Sequence, residues 1–140
     1  MDYITSQKFS MRNQPFISLF GATVLLVEPE AEACAVYTRQ FQGVNMNVIT
    51  CGTVDEMLAR VKEDVPDVVI VNPTYDIAQG VQLVTMLKQN HPKIPVITIG
   101  QSILEAHLDA MMKAGVSFHI NRQFTQPRDI LLALEQILNQ

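Results

Sequence analysis

The side chains that could do chemistry in this chain sit at the ends of apolar runs. Glu28, Pro29 and Glu30 follow ATVLLV at 22–27, Asn72 follows DVVIV at 67–71, Gly100 follows PVITI at 95–99, and Arg122 follows SFHIN at 117–121. Carboxylates and a guanidinium so placed could hold a divalent cation or pair with one another. Nucleotide chemistry of the usual kinds is disfavoured, because the loop EPEAEA after the first run has no GxGxxG, no P-loop and no small-residue cradle for a flavin phosphate. No Ser/His/Asp motif supports a triad, and His91, His107 and His119 fall at ordinary helix or strand positions. Cys34 and Cys51, the only cysteines, lack CxxC or Cys/His spacing, so they read as free thiols and not as a zinc or redox site. No cofactor is expected.

Regular alternation of strand and helix patterns must position these residues. The run at 22–27 is nearly continuous in apolar residues, as in a strand covered on both faces. A helix from about Ala31 to Gln42 places Ala33, Val36, Tyr37 and Phe41 on one face and stops at Gly43. After the strand MNVIT at 46–50, Thr53-Val-Asp-Glu56 has the form of a capping box, and Val54, Met57, Leu58 and Val61 continue one helical stripe. A third helix near 80–90 turns Val81, Val84 and Leu87 inward and closes at His91-Pro92. A fourth runs from about Ile103 to Ala114 with Leu104, Leu108, Met111 and Met112 inward, and Gly115 ends it. Pro127 suits the first turn of a last helix whose stripe is Ile130, Leu131, Leu134, Ile137 and Leu138.

Five such strand-helix units joined by short loops imply an α/β fold, a doubly wound parallel sheet with helices on both faces, since each crossover must be right-handed. Ligands in such sheets sit at the carboxyl ends of the central strands. That rule gathers Glu28, Pro29, Glu30, Asn72, Gly100 and Arg122 around one pocket.

Composition bounds the function classes. A chain of 140 residues that is 48% hydrophobic and 17% charged suits one domain with one core, and disorder over most of its length is excluded. Net charge is −4, and beyond residue 20 it is −5 from 8 basic and 13 acidic residues, which disfavours a phosphate backbone, so no nucleic acid is expected as a partner. Apolar runs are far too short to span a bilayer and no signal core opens the chain, so no membrane insertion and a cytoplasmic location are expected. Residues 1–20 stand apart as an extension with no sustained period, yet hold Tyr3, Phe9, Phe16 and Phe20, four of nine aromatics. Such a segment is expected to pack on its own domain, residues 21–140, or on a mate.

Taken together, Val-Glu-Pro-Glu after the first strand, Asn72 after the third, PVITIG around the fourth and AGVSFHINRQF around the fifth resemble the bacterial response-regulator receiver, over about residues 22–139. The resemblance implies a flavodoxin-like five-stranded sheet of order 2-1-3-4-5. In that family an aspartate ending the third strand takes a phosphoryl group, an acid pair after the first strand holds magnesium, and a hydroxyl residue and a lysine contact the phosphate. Here those positions are Asn72, Glu28-Pro29, Gly100 and Arg122, and Gln123 replaces the proline that follows the lysine, so a trans bond is expected there. The departures imply a degenerate receiver that is not an enzyme, with Arg122 paired to Glu28 or Glu30 in place of a metal charge.

The resemblance further implies a face of the fourth helix, fifth strand and fifth helix kept for docking. His119 takes the family's aromatic switch position there, with Ile103, Leu104, His107, Met111 and Met112 as further candidates. The implied function is a phosphorylation-independent protein-interaction module in bacterial signal transduction, with a protein partner or a second copy as its mate. Alternatives are a small-ligand or divalent-metal sensor in the old acid pocket, and an atypical phosphorelay receiver.

Overall fold

The computed structural model describes residues 16–139 other than Tyr75 and Ser102. Five parallel strands form one sheet of order β2-β1-β3-β4-β5: β1 (Thr23–Val27), β2 (Asn47–Cys51), β3 (Val68–Val71), β4 (Val96–Gly100) and β5 (Phe118–Asn121). The period-two alternation of a strand sorts their side chains into two cores. Val24, Leu26, Val68, Ile70, Ile97 and Ile99 face one side, under α1 (Ala31–Gly43) and α5 (Pro127–Leu138). Leu25, Val27, Val69, Val71 and Val96 face the other, under α2 (Val54–Glu63), α3 (Ile77–Asn90) and α4 (Glu105–Ala114). Fully burying one such side chain contributes about 1.5–3 kcal/mol, so a central sheet lined on both faces dominates the stability. The expected sheet, with its strand order and two-sided helices, is the one observed.

Local signals act as the sequence suggests, with informative differences. At the start of α2 the Glu56 N–H donates to Thr53 Oγ1 at 3.2 Å, but the Glu56 carboxylate accepts from Gly52 N–H at 3.3 Å, so it reaches one residue past the cap. Helix α3 begins at Ile77, earlier than the apolar stripe suggests, because Asp76 caps it by accepting from Gln79 N–H at 3.0 Å. Val36 is exposed on α1, and on α4 only Met111 is fully buried while Leu104 (69%) and Met112 (43%) are exposed. Leu104 precedes the first turn of α4, so its side chain lies outside the helical stripe.

Of the N-terminal extension, residues 1–15, including Tyr3 and Phe9, lie outside the described residues. Phe16 and Leu19 are part of the core under α1 and α5, whereas Phe20 is exposed. The Arg128 guanidinium stands 5.3 Å from the centre of the Phe16 ring, and Ser18 Oγ donates to Glu135 Oε2 at 2.9 Å. Among the described residues no helix is long and apolar enough to cross a membrane.

Candidate functional site

The pairing of β1 with β2 and β3 fixes where Glu28 and Asn72 stand. Both lie one residue beyond paired strand ends, Glu28 donating its N–H to Cys51 O at 3.2 Å and Asn72 donating to Val27 O at 3.0 Å. Both are buried, at 3% and 6% exposure. A buried carboxylate needs donors, and Glu28 has two: Asn72 Nδ2 at 2.9 Å from Oε1 and Glu30 N–H at 3.1 Å from Oε2. The Asn72 amide is committed at its other end as well, its Oδ1 accepting from Thr74 N–H at 3.1 Å and from the Thr74 hydroxyl. This pattern assigns the amide, because the reverse orientation would turn NH2 toward two donors and oxygen toward a carboxylate.

Gly100 closes the cluster. A Cβ at that position would stand 2.6 Å from Asn72 Oδ1 and 2.8 Å from Thr74 Oγ1, so the absence of a side chain at 100 makes the room that Thr74 occupies. Thr74 is a site residue that the strand-end rule missed. Its signal was present in the sequence, since Asn-Pro-Thr allows an Asx-type turn in which the side-chain oxygen takes the N–H two residues on.

The expected single pocket is two. Pro29 and Asn72 line a cavity of about 130 Å³ with Thr53, Asp76 and Gly80. Glu30 and Arg122 line a separate groove of about 430 Å³ between α1 and the start of α5. Of the two acids expected to pair with Arg122, Glu28 or Glu30, Glu28 forms no ion pair with it and instead accepts from two local N–H donors. Arg122 stands instead beside Tyr37, whose hydroxyl raises its pKa, while Glu28 and Glu30 act on it through space. Burial pushes the Tyr37 hydroxyl above its ordinary value, against the pull of Arg122. The approach falls outside ordinary hydrogen-bond geometry, and the Tyr37 hydroxyl and Gln40 Oε1 are buried without partners.

After β5 the chain makes one 3₁₀ turn, Arg122–Phe124, in which Asn121 Oδ1 accepts from Gln123 N–H at 3.1 Å. Among the described residues no peptide bond is cis. On the β4–β5 side, strand register sets Thr98 beside His119. His119 Nδ1 lies 2.9 Å from Thr98 Oγ1 and Nε2 lies 2.9 Å from Gln101 O. A carbonyl only accepts, so in the neutral ring Nε2 carries the proton and Nδ1 accepts from the threonine. Around this clamp Leu104 and His107 are exposed, Ile103 and His119 are half-buried, and Met111 belongs to the core.

A parallel sheet of this order, with its polar residues at the carboxyl ends of β1, β3 and β4, defines the flavodoxin-like class. The sequence matches the response regulator receiver domain over residues 24–135, and the chain belongs to that family. A response regulator from Thermotoga maritima superposes with a TM-score of 0.78 at 16% identity, covering 86% of this chain and 100% of that one. Vibrio cholerae chemotaxis protein CheY4 gives 0.76 at 18% identity, with 84% and 99% covered. NtrX from Brucella abortus gives 0.74 at 24% identity, covering 86% of this chain and 26% of that longer one. Identities this low carry the fold alone. Comparison with curated proteins yields no match.

The family's magnesium does not suit these residues. Both Glu28 oxygens and Asn72 Oδ1 already accept from N–H or O–H donors, and proline at 29 offers no side-chain oxygen. A hard dication takes several oxygen ligands, and this cluster offers one buried carboxylate that is already bonded to two N–H donors.

Proposed function

We propose that this chain is a receiver-fold module of bacterial two-component signalling that works without phosphoryl transfer, as a cytoplasmic protein-interaction domain and not an enzyme. The observation that carries the reading is the interlocked cluster of Glu28, Asn72, Thr74 and Gly100. An aspartyl phosphate forms by carboxylate attack, whereas the Asn72 amide is neutral and hydrogen-bonded at both its nitrogen and its oxygen. Glycine at 100 has no hydroxyl to follow a phosphate, and His119 is bonded through both ring nitrogens. A clamped residue at that position supports a docking face held in one state, with Leu104, His107 and Met112 as its exposed part, for a protein partner or a second copy.

The test is an amide NMR titration of the full chain with beryllium fluoride and magnesium, the usual stand-in for an acyl phosphate. Superimposable spectra are expected. Saturable shifts at Asn72, Thr74 and His119 would overturn the reading in favour of a working phosphoacceptor site.

A further inference from the structure

A bulky residue in the left-handed backbone region stands where the N-terminal extension meets the described fold. Phe16, which leads into the 3₁₀ turn Ile17–Leu19, has φ 66° and ψ 22°, a conformation that costs an L side chain free energy and that surrounding contacts must hold. Those contacts are present: the Phe16 ring is buried beneath the Arg128 guanidinium, and two residues on Ser18 Oγ donates to Glu135 Oε2 at 2.9 Å. Arg128, Leu132 and Glu135 follow i, i+4, i+7 spacing and so share one flank of α5, on the side away from Ile130, which lines the groove beside α1. On that flank the entering chain covers both polar neighbours, yet Leu132 between them is 43% exposed. We propose that residues 1–15 of this chain dock along this flank of α5 and cover Leu132.

Position and charge select this occupant. The segment ends at Phe16, beside the first turn of α5, so its docking is intramolecular and needs no encounter with a second molecule. Helix α5 has 12 residues and is about 18 Å long, whereas fifteen extended residues reach about 50 Å, enough to run the length of the flank and turn back. The segment holds Tyr3, Ile4 and Phe9, which suit an exposed leucine, and Lys8 and Arg12 against the single acid Asp2 make it cationic. Asp129, Glu135 and Gln136 line a groove around Leu132 that offers two carboxylates and no basic side chain, while Arg128 beside it is turned onto the Phe16 ring. Opposite charges across such a contact fix its register. Docked there, the segment withholds this flank of α5 from a protein partner; that consequence rests on the interaction reading above, whereas the docking itself does not.

The test is nuclear Overhauser spectroscopy on the isotope-labelled full chain. Contacts are expected from the ring protons of Tyr3 or Phe9 to the Leu132 methyls, and they should persist when labelled chain is diluted into unlabelled chain. Limited trypsin digestion reads the same docking at a distance in sequence, through cleavage after Lys8 and Arg12. Leu132→Ser should speed that cleavage by at least about fivefold without lowering Tm, because it removes the covered side chain and leaves the cleavage sites unchanged. Gln136→Lys sets a like charge beside the basic segment and should speed cleavage by about threefold; it decides the matter should Leu132→Ser lower Tm. Absence of any contact between residues 1–15 and α5, contacts only between labelled and unlabelled chains, as from a second copy, or cleavage at the same rate in the unaltered chain and both variants would overturn the proposal.

Discussion

Two polar regions of this receiver differ in how their hydrogen bonds close. At the ends of β1 and β3, Glu28, Asn72 and Thr74 satisfy one another, and glycine at 100 leaves room for them. Between α1 and α5, the Tyr37 hydroxyl and Gln40 Oε1 are buried without a well-formed protein partner, with Arg122 beside the hydroxyl and a cavity more than three times as large, about 430 Å³ against about 130 Å³. Burial alone therefore does not tell whether a polar cluster closes its own hydrogen bonds. The Glu28–Asn72–Thr74 cluster is part of the framework, whereas the helix groove leaves two buried polar atoms beside open space.

The comparison breaks most severely if the closed cluster accepts a charge. Asn72→Asp exchanges the donor 2.9 Å from Glu28 Oε1 for a second carboxylate, which removes a charge-assisted bond and sets like charges together under cover. A loss of about 3 kcal/mol at neutral pH is expected by urea denaturation. Intact-mass measurement after incubation with acetyl phosphate and magnesium should show no phosphoryl uptake, because Pro29, Gly100 and Arg122 are unchanged. Uptake by this single variant would mean that the framework remains an acceptor site.

A smaller effect follows from filling the glycine. Gly100→Ala sets a methyl 2.6 Å from Asn72 Oδ1 and 2.8 Å from Thr74 Oγ1, and overpacking of this kind costs about 1–3 kcal/mol. Thr74→Ala removes one of the clashing groups, so the double variant should recover at least about 0.5 kcal/mol relative to the sum of the singles. Strict additivity in that cycle would show that Thr74 does not occupy the space in solution.

The sheet was legible because a parallel strand buried on both faces leaves an unbroken apolar run, and five such runs alternate with helical stripes. Strand ends placed Glu28, Asn72 and Gly100 together for the same reason. Their bonding was not legible, since it depends on the loop after β3 turning Thr74 back onto Asn72. Arg122 was expected on Glu28 or Glu30; at Glu28 the local Asn72 and Glu30 N–H donors take the carboxylate instead, a contact that strand-end placement does not reveal. Tyr37 counted correctly as a core residue of α1, but a helical stripe does not tell where the hydroxyl at its end arrives. Leu104 and Met112 differ from the helical-stripe expectation because Leu104 precedes α4 and Met112 lies off the narrow stripe that packs around Met111.

The gentlest probe of the contrast is alkaline titration of the groove. Burial holds the Tyr37 proton more tightly in the folded chain than in the unfolded one, despite the opposing pull of Arg122. As pH rises past the ordinary tyrosine value of 10.0 the unfolded state ionises first, so it binds fewer protons and stability falls. Below that value both states keep the proton and this contribution is fully present. Tyr37→Phe should therefore leave stability at neutral pH unchanged or slightly raised, because a hydroxyl without a partner is removed, and should make the decline above pH 10.0 shallower, read by urea midpoints across pH. A hydroxyl that was part of a closed network, like the one at Thr74, would behave in the opposite way: its loss would lower stability at neutral pH.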